Sequence, residues 1–230
     1  MRYLRLFSMA LVTMCALGAV IAATAVALPT ILPTTLTSWT GKSVGEIRLA
    51  RQGGLGSAGC KSARGEGTIE ANGHLGLYHI TFEKCTAGGG ECTGLGDSTG
   101  TILSLGSWHL VYYTLGATLA EAGVATLFLV DNVHFTCNTI IGEVLQQVFL
   151  GGMVLCAAAG EVGALTKTFE TQCKEGGGSG HPSLSKYYNE AGTLVSISPL
   201  ESSENEGTKA EVAQVGNSTT SVSEPALLMV

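Results

Sequence analysis

Three histidines are the residues of this sequence whose type and position could support metal chemistry. His79, His109 and His134 each lie in the middle of a segment that alternates apolar and polar residues, which is the pattern of a half-buried strand. If the apolar residues face the core, all three imidazoles project from the opposite face. Because neighbouring strands are only about 4.8 Å apart, three adjacent strands could bring the rings onto one Zn²⁺ and leave a fourth position for water.

Glu83 is the residue that could serve such a site as a base. It falls on the same face of its strand as His79, and a carboxylate there could hold a ligating imidazole or take a proton from metal-bound water. The simpler alternative is that the three histidines are separate surface residues, because isolated histidines are often exposed. Strand order decides between the two interpretations, and the sequence does not reveal strand order.

No complete catalytic motif occurs elsewhere in the chain. The GGGSG run at 176–180 lacks the last glycine of a nucleophile elbow, and the DSTG run at 97–100 has no second copy to form an aspartic dyad. We therefore assign no catalytic residue and no cofactor, and we favour a binding or structural domain of unknown ligand. The alternative function is a metal-binding protein or a metal-dependent hydrolase that uses zinc on the strand-borne histidines.

The first 27 residues are typical of a secretory signal peptide. Two arginines precede a long uncharged apolar run that ends in Ala25-Val26-Ala27, and small residues at this spacing mark a cleavage site. We expect cleavage after Ala27, a mature chain that begins at Leu28, and a secreted, extracellular protein. The alternative is an uncleaved anchor, because about 20 apolar residues can span a bilayer.

An even number of cysteines remains once Cys15 leaves with the leader, and an exported protein would pair them as disulfides. The closest two, Cys85 and Cys92, are separated by TAGGGE, which can turn tightly enough to bring their Cα atoms within bonding reach. We expect this bridge. Buried free thiols and zinc ligation are the alternatives, although no C-x-x-C pair is present. The disulfide candidates are Cys60, Cys85, Cys92, Cys137, Cys156 and Cys173.

The mature chain is acidic and carries few charges. Without the two leader arginines it holds 10 Lys plus Arg against 18 Asp plus Glu, a net charge of −8. Nucleic-acid binding needs a basic surface that neutralises phosphates, so we expect no nucleic-acid partner. We also expect no stable membrane span after leader cleavage. The partner is unknown, and the cell envelope is a possible location.

The elements that must position these residues are strands. A period of two dominates the hydrophobic pattern; in LGLYHITFEKC, for example, Tyr78, Ile80 and Phe82 alternate with polar residues. Further strands are expected at 67–71, 99–105, 107–114, 124–130, 133–137, 164–173 and 193–198.

This pattern predicts an all-β fold, a single antiparallel β-barrel or β-sandwich domain of about 8–10 strands behind the signal peptide. The domain is expected to span 28–198, followed by an acidic, Ser- and Glu-rich tail at 199–230 with a possible late strand at 208–215. Residues 139–150 are ambiguous, because their apolar residues recur at helical spacing while their β-branched content favours a strand. We predict a strand there.

Several segments, in order behind the leader, resemble a set of uncharacterised secreted proteins of soil actinobacteria. They are TFEKC, ECTGLGDSTGTI, SWHLVYY, VATLFLVDNVHFTC and TKTF, and the resemblance covers residues 40 to 198. It implies export and a β-rich fold. It transfers no activity, cofactor or site residue.

Overall fold

The computed structural model describes residues 27–51, 57–116, 121–138, 144–149, 151–159, 163–176, 181–204 and 209–229. The predicted leader, apart from Ala27, lies outside the described residues. Within them the chain forms strands and no α-helix, so the predicted all-β class is confirmed. No helix in this part of the chain is long and apolar enough to cross a membrane.

The strands of the described residues are β1 Thr30–Leu32, β2 Ser38–Arg51, β3 Ala58–Thr68, β4 Leu75–Ala87, β5 Gly90–Gly94, β6 Thr101–Thr114, β7 Gly123–Val130, β8 Val133–Asn138, β9 Val144–Phe149, β10 Gly152–Ala159, β11 Leu165–Cys173, β12 Glu175–Gly176, β13 His181–Pro182, β14 Lys186–Tyr188, β15 Leu194–Ser196, β16 Leu200–Glu204 and β17 Ala210–Met229. Strands β12 and β13 pair only with each other, and the other fifteen form one sheet.

The large sheet closes on itself twice. Strands β2, β3, β4 and β17 belong to both closures; the first ring continues through β6, β7, β10 and β11, and the second ring through β5, β8, β9 and β16. Strand β4 serves both rings because Leu75–Glu83 pair with β6, whereas Thr86 and Ala87 pair with β5. The barrel or sandwich type of fold is confirmed, with more strands than the 8–10 expected, because short strands complete the second ring.

The alternation that predicted β4 is present, with one reversal. Tyr78 and Phe82 are buried and His79 is exposed, as expected. Lys84 then adopts a positive φ of 52°, and after it Cys85 is buried although a strict alternation would expose it. A non-glycine residue with positive φ is uncommon in a strand, and here it turns the cysteine into the core.

The predicted strands around His109 and His134 also have the expected orientation. On β6, Trp108 and Tyr112 are buried, and on β8, Val133 and Phe135 are buried while His134 is exposed. Strand β7 lies between β6 and β10, which confirms the central strand predicted at 124–130. Its nearly continuous apolar sequence fits burial on both faces, since Val124 belongs to one core group and Ala125 and Leu127 belong to another.

Buried apolar side chains form three groups. The first lies mainly in the second ring around Phe82 and Phe135, and it contains all six cysteines among the described residues. Another fills the first ring around Trp108 and Val222. The last covers the outer face of β6, β7 and β10 and consists of Val111, Ala125, Leu127, Leu155 and Ile197.

The six cysteines form three disulfides, but the predicted Cys85–Cys92 bridge is wrong. The bridges are Cys60–Cys85, Cys92–Cys137 and Cys156–Cys173. Cys60 lies directly opposite Cys85, and Cys92 lies directly opposite Cys137, on neighbouring strands. The TAGGGE segment does turn, at Gly88 and Gly89 with positive φ, yet each cysteine beside that turn meets the strand on its other side.

The expected boundary at 198 is also corrected by the structure. Residues 199–230 contain β16 and the 20-residue β17, which is shared by both rings and pairs with β2, β11, β16 and β1. The late strand predicted at 208–215 is therefore the first part of a much longer one. Backbone hydrogen bonds to neighbours on both sides hold it in the sheet, whatever the polarity of its side chains.

The ambiguous segment at 139–150 contains a strand, as predicted. Strand β9 pairs with β8 on one side and with β16 on the other. Residues 139–143 and 150 lie outside the described residues.

Candidate functional site

The register of the first ring keeps the three candidate histidines apart. His79 on β4 lies opposite Leu105 of β6, whereas His109 of β6 lies opposite Leu75. The two histidines are therefore offset by four residues along neighbouring strands, about 13 Å at 3.3 Å per residue. His134 lies on β8 in the second ring, between β5 and β9.

The structure thus does not assemble the predicted zinc site from His79, His109 and His134. Among the described residues, no group of three or more His, Cys, Asp or Glu side chains could hold a metal ion. The face of each histidine was predicted correctly; the strand order and the offset between strands were not available from alternation alone.

Glu83 has another role than base of a metal site. Its carboxylate accepts hydrogen bonds from the Arg64 guanidinium and, at 3.0 Å, from the Ser62 hydroxyl on β3. The hydrogen bond from Arg64 is the main cause that lowers the pKa of Glu83, and the bond from Ser62 is the next. These contacts join β3 to β4 on the exposed face of the sheet.

His109 is the candidate that lies in a concave site. It projects from the outer face of β6, in a cross-strand row with Leu75 on one side and Leu127, followed by Leu155, on the other. On the outer face of a sheet, an imidazole becomes partly buried only where another segment of the chain packs over it. The cover comes from a segment about 80 residues later in the chain.

That segment, residues 184–197, is called the strap. It runs through β14, a turn at 189–193 and β15, and it joins the sheet where Tyr188 pairs with Tyr112. In the turn, Asn189 Oδ1 accepts hydrogen bonds from the amides of Ala191 at 3.1 Å and Thr193 at 2.9 Å, an arrangement in which asparagine replaces backbone hydrogen-bonding groups. Apolar strap side chains pack on the outer core group of the sheet.

A groove of ≈ 420 Å³ remains between the strap and the sheet. We call it the strap groove. Its lining is mostly apolar and contains one formally charged side chain, Glu190, with no Lys or Arg. The lining residues are Leu28, His109, Leu110, Val111, Leu127, Leu129, Met153, Tyr187, Asn189, Glu190 and Ala191.

The electrostatics of the groove keep the imidazole of His109 neutral near pH 7. Burial is the main cause that lowers its pKa below the ordinary value of 6.5, and nearby His74 lowers it further. Glu190 and Glu70 oppose the shift. A neutral imidazole can both donate and accept a hydrogen bond. The groove therefore offers a ligand an apolar wall, the Glu190 carboxylate, and an imidazole that can act as donor or acceptor.

The sequence identified only His109 among these groups. Tyr187, Asn189 and Glu190 belong to the run KYYNEAGT, which has the Asn and Gly of a turn between two short strands. That signal was present, and it predicts a hairpin. It does not say which face of the sheet the hairpin covers.

Comparison with known proteins adds no relative. No protein-family model matches the chain, and no curated protein or solved structure matches it either. The resemblance to secreted actinobacterial proteins stays a prediction.

Proposed function

We propose that this chain is a secreted binding domain whose strap groove takes a small ligand with an apolar body and a cationic amine. The observation that carries the proposal is the lining of the groove, in which Glu190 is the one charged side chain among apolar residues.

The size and lining of the groove favour a small molecule. Ligand sites are typically clefts of about 300–1,000 Å³ with apolar walls and a few placed polar groups. The volume of ≈ 420 Å³ lies in this range. Leu127, Leu129 and Met153 offer the apolar wall, and Tyr187 adds an aromatic ring from the strap.

The charge of the groove favours an amine over an acid. A ligand carboxylate would meet Glu190 with no Lys or Arg in the lining to compensate it, and like charges at close range cost binding energy. An ammonium group gains a charge-assisted hydrogen bond with the same carboxylate. The neutral His109 does not oppose the cation.

Secretion rests on two observations. Three intramolecular disulfides are compatible with an oxidising compartment, and the leader pattern precedes Leu28, which itself lies at the groove. Thr30 holds the backbone at Leu28, because its hydroxyl donates a hydrogen bond to the Leu28 carbonyl at 3.0 Å. An envelope location is part of the proposal, since an exported binding domain meets its ligand there.

The test uses three ligands of matched size on the mature chain that begins at Leu28. These are 2-phenylethylamine, 2-phenylethanol and phenylacetate, and calorimetric titration measures their affinities. We expect the amine to bind about tenfold more tightly than the alcohol, since one charged hydrogen bond is worth about 1.5–3 kcal/mol, and the acid to bind most weakly.

Glu190→Gln should remove the preference for the amine, whereas Glu91→Gln, on the exposed hairpin of the second ring, should leave it unchanged. Equal affinities of the amine and the acid for the wild-type protein would overturn the proposal. So would an amine preference that survives in Glu190→Gln.

A further inference from the structure

A row of side chains continues one wall of the strap groove across the outer face of the sheet. Leu129 of β7 lines the groove. It lies directly opposite Ser107 of β6, and Ser107 in turn lies opposite Leu77 of β4. Residues paired in this way share one face of a sheet, so the row runs from the groove out to Leu77. We call Leu77, Leu105, Ser107 and Leu129 the outer stripe.

Leu105 widens the outer stripe on β6. It lies two residues before Ser107 and therefore on the same face, and it is a diagonal neighbour of Leu77 at about 7–8 Å. Leu77 is 61% exposed and Leu105 is 48% exposed. A single exposed leucine is normal on a protein surface, whereas apolar side chains that adjoin one another and border a groove are typical of a binding surface.

Ser107 forms the low middle part of the outer stripe. Its side chain is shorter than those of Leu77 and Leu129, which lie on either side of it in the row. The row begins inside the groove at Met153 of β10, which lies opposite Leu129. From Met153 to Leu77 it crosses three strand spacings, about 14 Å. An apolar group that leaves the groove therefore finds a continuous track over Ser107.

Polar groups limit the width of the outer stripe. His79 lies opposite Leu105, and the exposed Asp131 donates its amide to the Leu105 carbonyl at 3.1 Å. Beside Leu77, the Thr68 hydroxyl accepts a hydrogen bond from the Leu77 amide at 3.0 Å. A stable protein interface takes about 20–30 residues a side, far more than this track offers. Its width suits one linear chain.

We propose that the ligand of the strap groove is a long-chain primary amine, whose alkyl tail leaves the groove past Leu129 and lies along the outer stripe. This inference rests on the proposed function, from which it takes the ammonium group beside Glu190, and it names the class of ligand. An alkyl tail fits because it has no polar group that would lose its hydrogen bonds over the leucines. Its methylene groups and the side chains of Leu77 and Leu105 leave water together.

The test measures how affinity depends on the length of the tail. Butylamine, octylamine and dodecylamine, each below the concentration at which it forms micelles, are titrated calorimetrically into the mature chain that begins at Leu28. A methylene group strengthens binding about fourfold when it is fully removed from water, and about twofold when it lies on an open face. The four additional methylene groups should make dodecylamine bind about 16-fold more tightly than octylamine. Equal affinities of these two amines overturn the proposal.

Variants of the outer stripe locate the tail. Leu77→Thr combined with Leu105→Thr removes both exposed leucines and keeps residue types that suit a strand. This double variant should reduce the gain from octylamine to dodecylamine to about fourfold or less, and it should leave the affinity for butylamine unchanged. Leu165→Thr is the matched control, because Leu165 is 72% exposed on β11, outside the stripe. A full gain in the double variant overturns the proposal.

Methyl NMR gives a second, direct measurement. Dodecylamine should shift the methyl signals of Leu77 and Leu105, whereas butylamine should leave them in place. The other occupant of such a face is a second copy of this chain. A dimer in sedimentation experiments that dissociates in the double variant would assign the outer stripe to self-association and overturn the proposal.

The proposed function can fail separately from this inference. The three probes have the same ammonium group, so the gain with tail length does not depend on the preference for amines over alcohols and acids. An amine preference without a gain from octylamine to dodecylamine overturns the tail site alone. A gain that the double variant abolishes, without an amine preference, supports the tail site and contradicts the role of Glu190.

Discussion

Tyr78 of β4 and Phe128 of β7 meet edge to face inside the first ring, with ring centroids 5.3 Å apart and an interplanar angle of 89°. Strand β6 lies between their strands, and its residue at this level is Gly106, which pairs with Tyr78 on one side and with Val130 on the other. The missing side chain of Gly106 leaves the space through which the tyrosine ring reaches the phenylalanine.

We predict that Gly106→Ala destabilises the protein by about 3 kcal/mol, at the upper end of the cost of overpacking a core. A Cβ at this position would lie 2.9 Å from the Tyr78 ring and would overlap the carbonyl oxygen of Leu129. The free energy of unfolding in denaturant measures the effect. Gly41→Ala is the control, since the nearest atom to its Cβ would be 3.3 Å away on the Trp39 side chain. Equal stabilities of the two variants would show that the ring pair does not depend on Gly106.

Tyr78 should ionise well above the ordinary value for a tyrosine. Burial is the main cause that raises its pKa to about 12, against a smaller opposite effect of the hydrogen bond with Ser104. Because the folded-state pKa exceeds the ordinary value of 10.0, the unfolded chain loses this proton first, and stability should fall as pH rises from 10 towards 12. Phenolate absorbance in the folded protein detects the late step.

Tyr78→Phe should reduce the amplitude of that late step and the alkaline loss of stability, while Tyr112, whose pKa is also raised by burial, keeps its own contribution. At neutral pH the same variant should change stability by no more than about 1 kcal/mol, because the hydroxyl contacts to Ser104 and to the Leu129 carbonyl are both long, at 3.5 Å. A late ionisation step of unchanged amplitude in Tyr78→Phe would assign it to another tyrosine.

The disulfide pattern is a direct chemical test of the fold. Peptide mapping without reductant should find Cys60–Cys85, Cys92–Cys137 and Cys156–Cys173. Replacing both cysteines of a bridge by alanine should cost about 4 kcal/mol for Cys92–Cys137 and about 3 kcal/mol for Cys156–Cys173, since the longer loop restrains the unfolded chain more. The sequence separations are 45 and 17 residues. A Cys85–Cys92 peptide would contradict the pairing of β5 with β8.

How far the sequence predicts this fold depends on the element. Side-chain alternation placed Tyr78, Trp108 and Phe135 in the core correctly, because each strand there has one apolar face. Alternation does not extend to Cys85, since the positive φ of Lys84 reverses it, and no composition signal marks a lysine in that conformation. The wrong disulfide has a different cause: the TAGGGE turn does form, but each cysteine beside it pairs across the sheet, Cys85 with Cys60 and Cys92 with Cys137.

The candidate site was less predictable than the strands. His109 was recognised by its type, but its environment depends on the strap, which folds over β6 from 80 residues away. Strand β17 was mistaken for a tail because residues 217–221, Asn-Ser-Thr-Thr-Ser, have no apolar alternation. Its backbone pairs with β2 and β11 on both sides, and such non-local pairing leaves no local signature in the sequence.

The exported form should begin at Leu28. Cleavage after Ala27 follows from the small residues at 25 and 27, and Ala27 is exposed while the next-but-one residue, Pro29, is buried. Replacing Ala25 and Ala27 by leucine should leave the precursor uncleaved. N-terminal sequencing of the exported protein and its mass on a denaturing gel measure the outcome. Recovery of residues 1–27 on the wild-type protein in the membrane fraction would contradict cleavage.

The groove should lose affinity for amines in mild acid because of His109. Its pKa lies below 6.5, mainly through burial, so the folded protein resists protonation more than the unfolded chain does. Stability contributed by the neutral imidazole is therefore fully present above pH 6.5 and is lost as pH falls through that value towards the lowered pKa. The imidazolium formed there also repels an ammonium ligand beside Glu190.

We predict that the dissociation constant of 2-phenylethylamine rises severalfold between about pH 8 and pH 5, the range in which histidine changes charge. In His109→Gln the constant should be nearly independent of pH over the same range, and the acid-side loss of stability should be smaller. His134→Gln is the matched control, because His134 is exposed on β8 in the second ring. NMR titration of the imidazole protons gives the pKa itself. An unchanged pH dependence of amine binding in His109→Gln would show that this ring does not face the ligand.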